Sequence, residues 1–287
     1  MNKRVTFLFP GQGAQYVGMG KDFADQFPAA KAVFNEADRL LGYAFSDLIF
    51  NGPAEELTLT KNSQLAIFIV SCAILSVIKG QFPDIEPAFC AGLSLGEYTA
   101  LVAAEKISFK ECLFLVRDRA SFMNEACETH PGSMQVVLGM EPEKVSEVLR
   151  EHFPLKEVSV ANVNCPGQVV IAGAVDPLSR AAQVLKEQGA KRVLPLDVSG
   201  AFHSPLMQEA KEKLSLKIYN AALADSSVEV VMNTPGDFVS SLPAMRTFMV
   251  EQVTQPVLWE KGIQAMMQRG VDLFLEIGCG KTLQGMN

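Results

Sequence analysis

The sequence predicts an α/β fold that carries a smaller inserted subdomain. Short apolar runs pass through glycine turns into helical stretches, once after Val5 to Phe9 and again after Ala88 to Gly92. The stretch from about 132 to 198 changes to the order β-α-β-β-α-β, the split pattern of a ferredoxin-like unit. Beyond Gly200 the α/β alternation resumes, so the larger domain is discontinuous in the chain.

In order, Val5-Thr-Phe-Leu-Phe9 is apolar and β-rich, Pro10 ends it, and Gly11-Gln-Gly13 allows a tight turn. Met1 to Pro10 therefore reads as a first strand; its apolar part is too short for a signal peptide. Amphipathic helical segments follow near 21–41 and 62–80. The longest apolar run, Leu65 to Ile78, is bounded by Gln64 and Lys79. It falls short of the ~20 residues a membrane span needs, so it reads as a buried helix. Ala88 to Gly92 is a short buried strand, and Glu97 to Ala104 restarts a helix.

Within the insert, Met134 to Leu138, Val158 to Ala161, Val169 to Ala172 and Arg192 to Asp197 read as strands. Glu143 to Glu151 and Pro177 to Gln188 read as helices, and Pro166-Gly167 as a turn. Further strands are expected at Val228 to Val231 and Val271 to Leu275. Phe248, Met266 and Met267 read as core. The predicted boundaries are 1–129 with 199–287 for the large domain and 130–198 for the insert.

Composition narrows the function. With 287 residues, 48% hydrophobic and 20% charged, the chain can bury a large core. Glycine and proline are scattered, which excludes collagen-like and low-complexity chains. The net charge of −7 supplies no field toward phosphate backbones, so nucleic-acid binding is not expected. Six cysteines without a C-x-x-C spacing read as reduced and buried, in a cytosol-like compartment.

The sharpest chemical signal is Gly92-Leu93-Ser94-Leu95-Gly96, a G-x-S-x-G pentapeptide between a predicted strand and a predicted helix. Such a turn lifts a serine hydroxyl into a cleft, and the helix N-terminus favours developing negative charge. Without that context it would be an ordinary glycine-rich helix start. A serine nucleophile needs a base, and the chain has three histidines. His152 ends a charged helical stretch and His130 lies in a polar turn, both of them surface contexts. His203, in Ser199-Gly-Ala-Phe-His-Ser-Pro205, follows a predicted strand in a glycine-and-proline loop and is the better base. Arg117 and Arg119 share a predicted helix; Arg119 either points inward toward a carboxylate or is solvated or ion-paired.

Other motifs fail on inspection. Gly280-Lys281-Thr282 ends like a phosphate-binding loop, but the required first glycine is Leu275. Gly11-Gln-Gly13 lacks the third glycine of a dinucleotide fingerprint, since Tyr16 stands there. No His/Cys/Asp cluster has metal-ligand spacing, so no metal is expected.

Several motifs together resemble the malonyl-CoA:acyl carrier protein transacylases, the acyltransferases of fatty-acid and polyketide synthesis. They are Phe9-Pro-Gly-Gln-Gly-Ala-Gln15, Gly92-Leu-Ser-Leu-Gly-Glu-Tyr98, Arg119, Asn162-Val-Asn-Cys-Pro-Gly-Gln-Val-Val-Ile-Ala-Gly173, Gly200-Ala-Phe-His-Ser204, and Gln252 with Pro256-Val257. The resemblance runs through nearly the whole chain and implies an α/β-hydrolase-like large domain with a ferredoxin-like insert. It also implies that Ser94 attacks the malonyl thioester, that His203 takes the proton, and that backbone amides of Gln12 and Leu95 hold the oxyanion. Arg119 would pair with the malonyl carboxylate, while Phe202, Gln252, Asn162 and Leu93 would line the substrate site. A backbone carbonyl would orient the imidazole.

The implied partners are malonyl-CoA and acyl carrier protein, with no cofactor beyond the acceptor's 4'-phosphopantetheine. The implied setting is a cytoplasmic monomer, or a plastid or mitochondrial enzyme after loss of a targeting peptide, with neither nucleic acid nor membrane as partner. Leu93 stands where many relatives have histidine, and relatives generally continue past Asn287 with a terminal helix. Lys186, Lys191 and Arg192 are the candidates for a basic patch facing an acidic carrier. A serine hydrolase or thioesterase, a silent carrier-binding subunit, and a polyketide-pathway acyltransferase remain as alternatives.

Overall fold

Val5–Phe9 forms strand β1, and all five of its side chains are buried, as in a strand covered on both faces. The computed structural model describes residues 3–154 and 157–287. Met1 and Asn2 of the predicted first strand, and Leu155 and Lys156 of the predicted insert, lie outside the described residues.

After β1 come helices α1 (Lys21–Gln26), α2 (Pro28–Leu41), α3 (Phe45–Asn51), α4 (Ala54–Thr58) and α5 (Thr60–Gln81). Strand β2 (Pro87–Gly92) leads into α6 (Gly96–Ala103) and α7 (Phe109–Thr129). The middle of the chain is β3 (Gly132–Leu138), α8 (Pro142–His152), β4 (Val158–Cys165), β5 (Gln168–Ala174), α9 (Val175–Glu187) and β6 (Arg192–Pro195). The chain then runs through α10 (Gln208–Asn220), β7 (Glu229–Met232), β8 (Asp237–Val239), α11 (Leu242–Glu251), β9 (Val257–Leu258), α12 (Trp259–Gln268) and β10 (Leu273–Glu276).

The architecture is mixed α/β with two five-stranded sheets. The first has the order β10-β1-β2-β7-β8, parallel except for β8. β1 therefore stands between the second strand and the last, and ligands in open parallel sheets gather at the carboxyl ends of strands where the winding reverses. The loops after β1 and β2 carry Gln12 and Ser94 to that edge.

The second sheet has the order β6-β3-β5-β4-β9. Its faces follow the two-residue period of a strand: on β5, Val170 and Ala172 join the large core, while Val169 and Ile171 join a separate core under α8 and α9. β9 pairs in parallel with β4, Asn162 against Val257, so a segment far along the chain completes the second sheet. β8 and β9 are too short to leave a periodic signal, and α3 and α4 are short turns of helix between the two predicted helical segments.

Two local readings need correction. Met266 is fully buried but Met267 is 61% exposed, because adjacent residues on α12 face different directions. Cys165 is half-buried, whereas the other five cysteines are buried. Helix α5 is long and apolar enough to cross a membrane, yet 78% of its most apolar stretch is buried inside the fold.

Backbone closeness at the β1/β2/α6 junction demands glycine. A Cβ on Gly96 would lie 2.1 Å from the Phe9 carbonyl oxygen, and one on Gly92 would lie 2.0 Å from the Gly96 carbonyl carbon. Gly96→Ala is expected to destabilise the protein by about 3 kcal/mol, since rigid backbone must move to admit the methyl. Gly80→Ala, in α5 with open space around it, is expected to stabilise it by about 0.5–1 kcal/mol. Denaturant unfolding of the two variants checks both signs, and an unchanged midpoint for Gly96→Ala would refute the crowding argument.

Candidate active site

Ser94 occupies the turn between β2 and α6 with φ of 51°, a left-handed conformation that costs a non-glycine residue and persists only where its surroundings hold it. Here Ser94 N donates to Asn233 Oδ1 at 2.6 Å, and Asn233 Nδ2 donates to the Gly92 carbonyl at 2.7 Å. Leu93 N donates to the Phe9 carbonyl at 3.0 Å, tying the turn to β1. Gly11 approaches so closely that a Cβ there would lie 2.5 Å from the Leu93 oxygen, which brings the Gln12 segment to the same cleft as Ser94 and Leu95.

His203 also has positive φ, 55°, and is 4% exposed. Its Nε2 lies 2.7 Å from Ser94 Oγ, and its Nδ1 lies 2.7 Å from the main-chain carbonyl of Gln252. A carbonyl only accepts, so Nδ1 carries the hydrogen and the Nε2 lone pair faces the serine hydroxyl. Burial, reinforced by the nearby Arg119 charge and opposed by the Gln252 carbonyl, pushes the imidazole pKa down to about 4. The ring is therefore neutral and able to accept a proton at physiological pH.

Arg119 is 1% exposed on α7. It is neither solvated nor ion-paired: its Nη1 donates to Gln64 Oε1, and its Nη2 donates to Gln252 Oε1 at 2.9 Å and to Ser94 Oγ at 3.1 Å. Burial lowers its pKa, and the guanidinium lies 5.4 Å from the Tyr98 ring centroid. Arg117, two residues away, pairs instead with Asp118 at 2.7 Å.

These groups surround a cleft of about 370 Å³ between the two sheets. Leu93, Phe202 and Asn162 line it together with Ser94, His203, Arg119, Gln12 and Leu95. Gln252 is fully buried behind it. His130 sits 3.3 Å from Glu209 and His152 is exposed. Lys186, Lys191 and Arg192 are exposed. The polar residues that sequence reasoning missed are Gln64, Asn233 and Glu97. Gln64 reads as the polar boundary of an apolar run but is 1% exposed, with Nε2 3.3 Å from Gln12 Oε1. Nothing local marks Asn233, whose partners are 139 and 141 residues away. Glu97, in the motif's helix, is fully buried, and burial pushes its pKa up to about 8.

A hydroxyl sharing its proton with a neutral imidazole can form and break an ester, and a buried guanidinium beside it can hold an acidic acyl group. That chemistry is the chemistry of a serine acyltransferase. The acyl transferase domain family profile matches residues 6–285, and the chain belongs to that family. It is 45% identical over 286 residues to the malonyl CoA-acyl carrier protein transacylase of Bacillus subtilis, covering 99% of this chain and 89% of the relative. The crystal structure of the malonyl CoA-acyl carrier protein transacylase from Clostridium perfringens matches with a TM-score of 0.93 at 38% identity, covering 99% of this chain and 89% of that one. A malonyl-transacylase in complex with its type II polyketide synthase acyl-carrier protein also matches at a TM-score of 0.93 and 38% identity, covering 99% and 91% of the two chains.

The His203 pKa fixes a sign for pH dependence. A ring protonated below about pH 4 cannot accept the Ser94 proton. Acylation of Ser94 by an activated ester such as p-nitrophenyl acetate is expected to stay constant from pH 7 to about pH 5 and to fall as pH drops through about 4. Stopped-flow burst rates across that range check it; a midpoint near 6.5, the ordinary histidine value, would contradict the buried neutral ring.

Proposed function

We propose that this chain transfers a malonyl group from malonyl-CoA to the pantetheine thiol of an acyl carrier protein, by way of a malonyl-serine ester, supplying fatty-acid elongation. The observation that carries the reading is Arg119: a buried guanidinium 3.1 Å from the Ser94 hydroxyl, whose hydrogen-bond partners there are neutral oxygens. It offers unneutralised positive charge where the far end of a short acidic acyl group would lie. The names of the relatives support the same substrate pair.

In the first half-reaction Ser94 Oγ attacks the thioester carbonyl while His203 Nε2 takes the hydroxyl proton. Amides of Gln12 and Leu95 hold the oxyanion. The intermediate expels coenzyme A, whose sulfur takes the proton from His203, and leaves malonyl-Ser94. The carrier thiol then gives its proton to His203, attacks the ester carbonyl and leaves as the malonyl thioester, returning the proton to Ser94. Arg119 pairs with the malonyl carboxylate throughout. Phe202 restricts branching on the acyl group, Leu93 and Asn162 line its passage, and Gln252 holds His203 and Arg119 together.

The strand order β6-β3-β5-β4 supports a ferredoxin-like insert over 130–198. The parallel β10-β1-β2-β7 sheet, with its serine turn after β2, supports an α/β-hydrolase-like domain over 1–129 and 199–287. The reading places the protein in the cytoplasm as a monomer that uses no cofactor and binds neither nucleic acid nor membrane; six free cysteines and a net charge of −7 agree with it. Lys186, Lys191 and Arg192 are its candidate contacts for the carrier.

Intact-protein mass spectrometry after mixing with malonyl-CoA tests the proposal. One malonyl adduct is expected, absent from Ser94→Ala and discharged onto holo carrier protein. Arg119→Ala is expected to lower malonyl kcat/KM at least about a hundredfold, the loss of a charge-assisted pair in a desolvated site, while leaving acetyl transfer much less affected. Release of free malonate at the same rate with and without carrier would instead mark a hydrolase.

A further inference from the structure

Helix α6 carries a carboxyl group for which the transfer steps have no use. Glu97 follows Ser94 by three residues, is fully buried and is not among the residues lining the cleft. A buried acid is costly unless its oxygens are satisfied, and Glu97 satisfies both. Oε2 accepts from the Asn233 main-chain N–H at 2.6 Å, and Oε1 accepts from Gln252 Nε2 at 3.0 Å. Two N–H donors converging on two oxygens is the environment of a carboxylate.

The consequence falls on Gln252. The two ends of a side-chain amide have the same shape, so only their partners decide which way it faces. With Glu97 as a pure acceptor, the NH2 end must face Glu97, where it also donates to the Ser94 carbonyl at 2.9 Å. The oxygen end then faces Arg119 Nη2 at 2.9 Å. The amide dipole thus lies between an anion and a cation with its negative end on the guanidinium, and each bond strengthens the other. The opposite orientation would set the amide NH2 against an arginine N–H.

We propose that Glu97 is a positioning residue for acyl selectivity: acting through the side-chain amide of Gln252, its carboxylate keeps Arg119 aimed at the acyl group on Ser94. The inference rests on the malonyl-transfer reading and deepens it. It concerns selectivity rather than ester chemistry, because His203 is held by the main-chain carbonyl of Gln252 and Ser94 by Asn233. Neither of these contacts turns with the Gln252 side chain; the one bond to the serine turn that does is the donation from Gln252 Nε2 to the Ser94 carbonyl.

Glu97→Gln tests it with almost no change of volume. The new amide has one acceptor, which the fixed Asn233 N–H takes, so its NH2 faces Gln252 and turns that side chain around. Arg119 then loses an acceptor and meets a donor. At pH 8.5 the ratio of malonyl to acetyl kcat/KM for Ser94 acylation is expected to fall at least about tenfold, mainly through malonyl-CoA KM. Protonation of Glu97 has the same effect as the substitution, so the wild-type ratio is expected to rise several-fold from pH 7 to pH 9 while that of Glu97→Gln stays flat. The groups around this network do not titrate in that interval. His203 is neutral above about pH 4, burial raises the Tyr98 and Cys112 pKa values, and burial lowers that of Arg119 from an ordinary value of 12.5, opposed by the nearby Tyr98 and Glu97.

A ratio unchanged in folded Glu97→Gln overturns the proposal. So does a ratio that rises, which would mean that removal of a negative charge matters and orientation does not. If the variant fails to fold, the wild-type series extended from pH 5 to pH 9, from near the ordinary carboxyl value of 4.5 to above the raised one of about 8, decides alone, and a flat ratio over that whole range is equally fatal. Wild-type protein that forms no malonyl ester at all would defeat the malonyl-transfer reading itself, an outcome distinct from either.

Discussion

A guanidinium held in the core without a carboxylate touching it is the constraint around which the cleft is arranged. Arg119 is 1% exposed, and a buried charge is tolerated only where hydrogen-bond acceptors replace the lost water. A direct carboxylate partner would cancel the charge that an acidic substrate needs. The fold supplies weaker acceptors instead: the amide oxygens of Gln64 and Gln252 and the hydroxyl of Ser94. Glu97, an anion only above its raised pKa of about 8, stands one amide away through Gln252 Nε2. That spacing gives Nη1 and Nη2 acceptors, leaves the buried Nε without one, and keeps the cation attractive to an acyl carboxylate.

The same few groups also hold the strained backbone. Ser94 and His203 have φ of 51° and 55°, and such conformations last only where neighbours over-determine them. Asn233 spans the serine turn, accepting from Ser94 N and donating to Gly92 O, while its own N–H donates to Glu97. Gln252 joins the histidine through its main chain to the serine and the arginine through its side chain. Three segments that meet only in the fold, α6, the turn after β7 and the end of α11, therefore share one polar network under the cleft.

That sharing explains what the sequence could disclose. Ser94 is legible because its geometry is local: a strand, two glycines and a helix within a dozen residues. His203 is legible by elimination among three histidines and by its loop. Arg119 is not decidable from spacing, since an arginine on an amphipathic helix looks the same whether it is solvated or buried, and only the resemblance to a family assigns it a substrate. Gln64, Asn233 and Glu97 carry no local mark because their meaning lies in partners more than fifty residues away. Short β8 and β9 escape for the same reason, being strands by virtue of their neighbours and not of their own periodicity.

β9 bears on how the two sheets act together. Gln252 ends α11, and five residues later Val257 pairs with Asn162 on β4. The chain that orients His203 from beside the first sheet is thus stitched directly to the strand that lines the other side of the cleft. A second sheet attached only through the two ends of its segment could shift relative to Ser94, and an ångström of displacement is enough to spoil a positioned reaction. The parallel pairing of β4 with β9, and the burial of Val170 and Ala172 in the large core, restrict that movement. The cleft's two walls are consequently set by the segment that also sets the histidine, so the width of the cleft and the placement of His203 are fixed by one piece of backbone.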